Sequence, residues 1–135
     1  MKKVSKYISL LALVLLPSFA EAKRLAPQEI EVTFENFVFR SSTVECGIIL
    51  IEKDGKIKQK RIYKVSYDSN LEKDVQDVWI TDMFVALGGL MIRNEKNEIY
   101  EMNFKAFEVI ERNGISQEQF EQMRRLQNQS VFTTP

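Results

Sequence analysis

Apolar and polar residues alternate with a period of two in the stretch from Glu29 to Phe39. The apolar side chains occupy even positions up to Phe34, with glutamate and threonine between them, which predicts a half-buried strand. After Asn36 the apolar set continues on odd positions, at Phe37 and Phe39. This change of phase indicates a bulge or a bend near Glu35–Asn36.

Two extended stretches, Val44–Glu52 and Lys56–Tyr67, flank Asp54-Gly55 and predict a β-hairpin. Aspartate and glycine tolerate the positive φ angles that a two-residue type I′ turn requires. A two-residue loop places Lys53 opposite Lys56. The same register gives three further cross-strand pairs: Ile48 with Arg61, Cys46 with Tyr63, and Val44 with Val65. A three-residue loop with a glycine bulge shifts this register by one residue, so the pairing stays open.

The stretch Ser69–Leu87 has the signals of an internal helix. Ser69 and Glu72 have the spacing of a capping box, apolar residues then recur at intervals of three and four, and two glycines follow. A strand over Val78–Ala86 is the alternative, because this stretch contains β-branched residues and also fits an alternating pattern. Of the two, the pattern favours the helix.

A second hairpin and a closing helix complete the pattern. Leu90–Arg93 and Glu98–Phe104 enclose a polar loop, which predicts the hairpin, and Lys105–Arg112 fits either an extended segment or a short helix. Ser116 and Gln119 have capping-box spacing, and an apolar stripe follows them. Together the elements predict an α+β fold: an antiparallel sheet of about five strands, made of one lone strand and two hairpins, with the internal helix and the C-terminal helix packed on one face.

Residues 1–22 have the features of a cleaved secretory signal peptide. Three lysines precede the apolar block Ile8–Leu16, and Ala20 and Ala22 occupy the −3 and −1 positions of a cut. The block is about half of the ~20 residues that span a bilayer. We therefore expect export to the periplasm or the medium, no transmembrane segment in the mature chain, a single α+β domain over residues 23–128, and a flexible tail over residues 129–135.

The residue types in the chain exclude most catalytic chemistry. Histidine is absent and Cys46 is the one cysteine, so the usual base of a triad hydrolase and the usual ligands of a zinc site are missing. The five glycines form neither a phosphate-binding loop nor a dinucleotide fingerprint. Carboxylate pairs such as Asp77 with Asp82, or Glu95 with Glu98, leave a carboxylate hydrolase as an alternative. We expect a non-enzymatic protein without a cofactor or a metal.

Cys46 lies in an apolar strand pattern and has no second cysteine to pair with. Free cysteine is among the most buried residue types, so we expect a small buried side chain. The alternatives are a disulfide between two chains and a reactive thiol. The adjacent Glu45 disfavours a thiolate, which argues against reactivity.

The sharpest charge feature is a row of lysines on and beside the second strand of the first hairpin: Lys53, Lys56, Lys58, Lys60 and Lys64. On one strand face, positions 56 to 64 span ~26 Å at ~3.3 Å per residue, enough to meet several anionic groups. One interpretation is a docking face for an anionic lipid or an acidic glycan. The other, which is favoured, is an edge strand whose lysines prevent aggregation between sheets.

The function expected from these features is non-catalytic binding of another envelope or secreted protein. Export and the missing catalytic residue types motivate this expectation, and the alternative is binding of an anionic lipid or glycan through the lysine row. Removal of residues 1–22 takes away three lysines and one glutamate and leaves a net charge of −2. Bulk charge therefore predicts no nucleic-acid partner. The oligomeric state stays open.

Overall fold

The computed structural model describes residues 27–133, so the predicted signal peptide lies outside the described residues. Eight strands and two helices form within this range. The strands are β1 (Glu31–Phe34), β2 (Phe37–Ser41), β3 (Ile48–Lys53), β4 (Lys56–Arg61), β5 (Ile80–Ala86), β6 (Gly89–Asn94), β7 (Ile99–Asn103) and β8 (Val109–Glu111). The helices are α1 (Lys73–Gln76) and α2 (Gln117–Thr133).

The eight strands form two four-stranded antiparallel sheets, in the orders β1-β2-β3-β4 and β5-β6-β7-β8. The α+β class is as predicted, but the expectation of one sheet of about five strands is wrong. The predicted lone strand over Glu29–Phe39 is also wrong, because a turn at Glu35 and Asn36 makes it the antiparallel pair β1 and β2. The chain forms two sheets because each carries an apolar face, and the two faces bury each other. One core cluster accordingly contains Phe39 and Ile49 of the first sheet together with Leu90, Ile92 and Met102 of the second.

The first hairpin has the predicted two-residue turn between β3 and β4. Asp54 and Gly55 have the positive φ angles, 53° and 77°, that a type I′ turn requires. Two of the predicted strand pairs are present: Lys53 with Lys56 and Ile48 with Arg61. The second predicted hairpin is formed by β6 and β7. Local turn chemistry therefore sets the register of the first hairpin.

The two outer pairs of the predicted register do not form within the ladder: Cys46 with Tyr63 and Val44 with Val65. The ladder stops at Gly47, whose carbonyl accepts the backbone N–H groups of Ile62 and Tyr63 at 2.7 and 3.4 Å. Gly47 has a φ of 80°, and a Cβ placed there would lie 2.3 Å from the Tyr63 carbonyl oxygen. A glycine is required at this irregularity, so strand pairing ends there.

The predicted internal helix over Ser69–Leu87 is wrong. This stretch forms only the single helical turn α1 and then strand β5, the alternative considered for Val78–Ala86. β5 is buried on both faces, because Met83 lies in the inter-sheet core while Phe84 and Ala86 belong to the cluster around α2. A strand covered on both sides has a nearly continuous apolar run, and such a run also satisfies helical spacing.

The C-terminal helix α2 is present and begins at the predicted capping box. The Ser116 hydroxyl accepts the backbone N–H of Gln119 at 3.1 Å, and the Gln119 side chain accepts the backbone N–H of Ser116 at 2.9 Å. Phe120, which is fully buried, anchors the helix on the second sheet. The helix continues past Asn128 to Thr133, into the segment predicted to be a tail, and residues 134–135 lie outside the described range. Neither helix described here is long and apolar enough to cross a bilayer.

Candidate functional site

A groove of about 390 Å³ lies beside β4, the strand at one edge of the first sheet. Its lining residues are Phe37, Ile51, Lys53, Asp54, Lys56, Lys58 and Phe107. We call this feature the lysine groove. Three of the five lysines that the sequence singles out therefore meet around one concave surface.

The lysines of the groove share a face because of the strand register. Residues directly opposite each other in an antiparallel ladder project to the same side. Lys53 is opposite Phe37 on β2 and opposite Lys56 on β4, and Ile51 is opposite Lys58. Ile51 is buried in the inter-sheet core, so β4 carries its lysines on the core-facing side of the sheet. At this edge of the sheet, the apolar residues of the core are therefore followed by lysines on the same face.

Phe107 closes the groove from the second sheet. It lies in the loop between β7 and β8, and its ring packs edge-on against Phe37 with the ring centres 5.6 Å apart. The Phe107 N–H donates to the Asn103 carbonyl at 3.0 Å, and the Asn103 side chain accepts the Ala106 N–H at 2.8 Å. These bonds hold Phe107 at a φ of 55°. Such a backbone conformation is strained for a bulky residue and persists only where the surrounding structure maintains it.

The lining of the groove has more positive than negative charge, because it contains three lysines and one carboxylate. Neither the Lys56 nor the Lys58 ammonium group forms an ion pair or a hydrogen bond with a described residue. The Lys53 ammonium lies 4.9 Å from the centre of the Phe37 ring, a cation–π contact, and Asp54 is the single carboxylate in the lining. Arginines elsewhere are paired instead: Arg40 with Glu52, Arg61 with Glu45, Arg93 with Asp82, and Arg112 with Glu101.

The other two lysines of the row lie outside the groove. Lys60 is on the same face of β4, opposite Ile49, but it is half-buried and does not line the groove. Lys64 follows the end of β4 and lines two other clefts. The structure therefore divides the row into a group of three around one site and two lysines with other surroundings.

Four groove residues were not singled out by the sequence: Phe37, Ile51, Asp54 and Phe107. The phase change after Asn36 was a signal for the first of them, because it places the Phe37 side chain on the inner face of β2. The turn motif identified Asp54, but only as a structural residue. Phe107 lies in a segment that the sequence left undecided, and no sequence signal connects it to β4.

A second cleft, of about 610 Å³, lies between the segment after β4 and the β6–β7 turn. We call it the acid cleft because Asp77, Glu95 and Glu98 line it. Tyr63 and Tyr100 also line it, and their rings stack with centres 5.2 Å apart. The cleft therefore brings together the predicted carboxylate pair of Glu95 and Glu98.

Several polar side chains of the acid cleft already have protein partners. Three of them bind neighbouring groups: Glu95 accepts the Trp79 N–H at 2.9 Å, Glu98 accepts the Asn94 side-chain amide at 3.0 Å, and the Tyr63 hydroxyl donates to the Val78 carbonyl. Gln76 donates to the backbone carbonyls of Asp68 and Leu71. The two glutamates and the Tyr63 hydroxyl thus take part in bonds that hold the cleft together.

The two tyrosines of the acid cleft have pKa values above the ordinary one. Burial raises the pKa of Tyr63 far above the ordinary value near 10. Burial, and then the charges of Glu98 and Glu111, raise the pKa of Tyr100 to about 12. At neutral pH both phenols are therefore hydrogen-bond donors and apolar walls, and neither can act as a base.

The other predicted carboxylate pair, Asp77 with Asp82, is divided between two clusters. Asp77 accepts the Tyr67 hydroxyl at 2.6 Å. Asp82 instead pairs with Arg93 and Arg124 beneath α2. Burial alone lowers the pKa of Arg93, but its hydrogen bonds to carboxylates outweigh that effect and raise the pKa. Asp82 therefore links α2 to the second sheet through its ion pair with Arg124.

Cys46 is buried, as predicted, but polar groups surround its thiol. The sulfur lies 3.2 Å from the Tyr67 hydroxyl and 3.7 Å from the Asp77 carboxylate. Burial and the hydrogen bond to Asp77 raise the pKa of Tyr67. The thiol is thus buried and in contact with two polar protein groups, which favours a structural role over a reactive one.

No protein-family model matches the chain, and neither a curated protein nor a solved structure matches it. Within residues 27–133, no group of three or more histidine, cysteine, aspartate or glutamate side chains could hold a metal ion. The function must therefore be inferred from the two clefts themselves.

Proposed function

We propose that this chain is a non-catalytic exported protein that binds an anionic group in the lysine groove. The observation that carries the proposal is the convergence of Lys53, Lys56 and Lys58 on one concave surface, with no described ion pair at Lys56 or Lys58. Ammonium groups without a carboxylate partner are ready to form charge-assisted hydrogen bonds with a carboxylate or a phosphate. Such a ligand supplies the negative charge that the described protein does not.

Protection of a sheet edge accounts for only part of the arrangement. Lysines on an edge strand prevent pairing between sheets, and β4 is an edge strand. That role does not require the lysines to share a groove with two aromatic rings. Phe107 reaches the groove from the other sheet at a strained φ, and protection of β4 gives no reason for this. A ligand site accounts for both features.

The lining of the groove favours binding over catalysis. It contains three amines, three apolar side chains and the carboxylate of Asp54. Hydrolysis by paired carboxylates needs a second acid, which the lining does not contain. Histidine, the commonest activating base, is absent from the whole chain. Binding without turnover is therefore the simplest function for this set of residues.

An NMR titration of the purified chain with inorganic phosphate tests the proposed site. We expect saturating shifts at residues 53–58 that weaken as salt screens the charges. The double variant Lys56→Gln/Lys58→Gln should lose about tenfold or more in affinity, since each charged hydrogen bond contributes about 1.5–3 kcal/mol. Lys64→Gln is the matched control, because Lys64 is exposed but lies outside the groove. Equal shifts at all exposed lysines, or unchanged affinity in the double variant, would contradict the proposal.

Binding of another protein stays a prediction, and one apolar surface favours it. Leu87 is 88% exposed at the β5–β6 turn. It lines a groove of about 580 Å³ together with Ile115, Met123 and Leu126. Exposed apolar side chains that lie together in this way are typical of sites that contact another protein.

The variant Leu87→Asn tests this second candidate function. Leu87 has a φ of 55°, which asparagine tolerates better, so the substitution removes the apolar tip and should stabilise the turn by roughly 0.5–1 kcal/mol. The parent chain and the variant are each used to capture proteins from the native envelope fraction at high salt. A protein held by the parent and lost with the variant supports docking at this surface. Capture by both chains, or by neither, removes the support.

A further inference from the structure

On the basis of the proposed anion site, we infer that the ligand of the lysine groove is a single-chain amphiphile. This ligand has one alkyl or acyl chain that ends in a carboxylate or a phosphate. Three features point to this class: the apolar floor of the groove, its continuity with the inter-sheet core, and its volume.

The floor of the lysine groove is apolar. Phe37 and Phe107 form an edge-to-face aromatic pair there, and Ile51 is only 5% exposed. The lining has no hydroxyl or amide side chain, so sugar hydroxyls that entered it would lose water without gaining equivalent partners. An acyl chain instead gains free energy because its apolar surface is removed from water. The floor therefore favours a lipid-like ligand over a glycan.

Aromatic rings continue from the floor into the inter-sheet core. The ring centres of successive stacked pairs are close: 5.8 Å for Phe37 and Phe39, 5.4 Å for Phe39 and Phe104, and 4.5 Å for Phe104 and Phe34. Phe37 is the member of this row that lines the groove, and Phe39 behind it is fully buried, so the apolar floor rests on packed core. The three lysines of the groove are exposed. The tail of the ligand would therefore lie on the apolar floor, and its charged end would lie at the exposed lysines.

The volume of the groove fits one chain. About 390 Å³ corresponds to roughly thirteen water-sized groups at ~30 Å³ each, which is close to a chain of about ten carbons with its head group. Lys53 and Lys56 are directly opposite each other, with Cβ atoms about 5 Å apart in such a pair, so both ammonium groups can reach one oxyanion. A lipid with two chains would leave its second chain in water.

Isothermal titration of the purified chain with hexanoate, octanoate, decanoate and dodecanoate tests this ligand class. All four are used below their micelle concentrations. We expect Kd to fall about fourfold for each added methylene that enters the groove, the equivalent of ~0.8 kcal/mol per buried CH₂. The gain should level off once the chain exceeds the groove. Decyltrimethylammonium, with a similar tail and the opposite charge, should bind about tenfold or more weakly than decanoate.

Variants separate the head-group contacts from the tail contacts. Lys56→Gln/Lys58→Gln should weaken decanoate about tenfold or more, while Lys64→Gln should not change it. Phe107→Ala should reduce the gain per methylene by a larger factor than it reduces the affinity for inorganic phosphate. Phe107→Leu keeps an apolar side chain and should retain most of the gain. Urea unfolding of both Phe107 variants establishes that each one is folded under the titration conditions.

The outcomes distinguish the amphiphile from the anion site on which it depends. Lysine-dependent phosphate binding without any gain along the carboxylate series would overturn the amphiphile and leave the anion site intact. A tighter lysine-dependent complex with an acidic oligosaccharide, such as oligogalacturonate, would have the same meaning. Equal binding of decanoate and decyltrimethylammonium would indicate unspecific apolar adsorption and would also overturn the amphiphile. If neither phosphate nor decanoate binds in a lysine-dependent manner, both the amphiphile and the anion site are overturned.

Discussion

The carboxylates of the acid cleft and the lysines of the lysine groove differ in what they already contact. The acid cleft is the larger, at about 610 Å³ against about 390 Å³. Glu95 and Glu98 nevertheless accept hydrogen bonds from neighbouring protein groups. In the lysine groove, Lys56 and Lys58 have no such partner among the described residues. Unpaired charge beside an apolar floor, rather than volume, marks the cleft that is open to a ligand.

This difference has a physical origin. A polar group that is hydrogen-bonded in the folded chain stabilises it, and removing its partner leaves a costly unsatisfied group. An ammonium group in water has no such bond to lose. Substitutions in the two regions should therefore have opposite consequences: lost stability at the acid cleft and lost binding at the lysine groove.

The largest effect is expected from Gly47→Ala, which displaces a wall of the acid cleft. An added Cβ would lie 2.3 Å from the Tyr63 carbonyl oxygen, at a φ of 80°. The clash and the backbone strain together should lower the free energy of unfolding in urea by roughly 2–4 kcal/mol. Gly55→Ala is the control, because Gly55 also has a positive φ but no atom within 4 Å of an added Cβ, so about 1 kcal/mol is expected. Equal losses would show that packing against Tyr63 is unimportant.

Alkaline pH should also destabilise the acid cleft. The pKa of Tyr100 is raised to about 12 in the fold, whereas an unfolded tyrosine titrates near 10. The contribution of Tyr100 to stability is therefore complete below about pH 10 and is lost as the pH rises toward 12, by up to about 2 kcal/mol. Tyr100→Phe should flatten this decline in the urea midpoint. An identical pH profile in the variant would show that titration of Tyr100 does not cause the loss of stability.

Tyr63→Phe should have a smaller effect, confined to stability. The substitution removes the hydroxyl that donates to the Val78 carbonyl and leaves that buried group unsatisfied, at a cost of about 1–2 kcal/mol in urea unfolding. Phosphate affinity at the lysine groove should not change. Tyr67→Phe is the control, because Tyr67 is 40% exposed. Water can therefore replace the lost hydroxyl as a donor to Asp77. A loss of phosphate affinity in Tyr63→Phe would mean that the two regions are coupled.

The parts of the fold that depend on neighbouring residues could be predicted from the sequence. The Asp54-Gly55 turn and the capping box of Ser116 and Gln119 each act within a few residues, and both are present. β5 could not be predicted in the same way. Its continuous apolar run results from the first sheet on one face and α2 on the other, and both lie far away along the chain.

The candidate site shows the same limit. The lysines were visible as residue types, and the two-residue turn implies that Lys53, Lys56 and Lys58 share a face. Which face of β4 points to the core depends on how the two sheets pack, and the composition of the strand does not reveal it. Phe107 comes from the other sheet. A groove between two sheets cannot be read from either one alone.

The smallest change in stability is expected from Lys56→Gln/Lys58→Gln, and it separates the two roles of these lysines. No described ion pair is lost, so the free energy of unfolding should stay within about 0.5 kcal/mol of the parent. If the lysines only protect the edge of β4, the variant should associate, which light scattering detects, while it still binds phosphate. If they form the site, phosphate binding should fall whether or not the variant associates. If the variant still binds phosphate and also associates, the lysines protect the edge of β4, and the lysine groove is no better supported as a ligand site than the acid cleft.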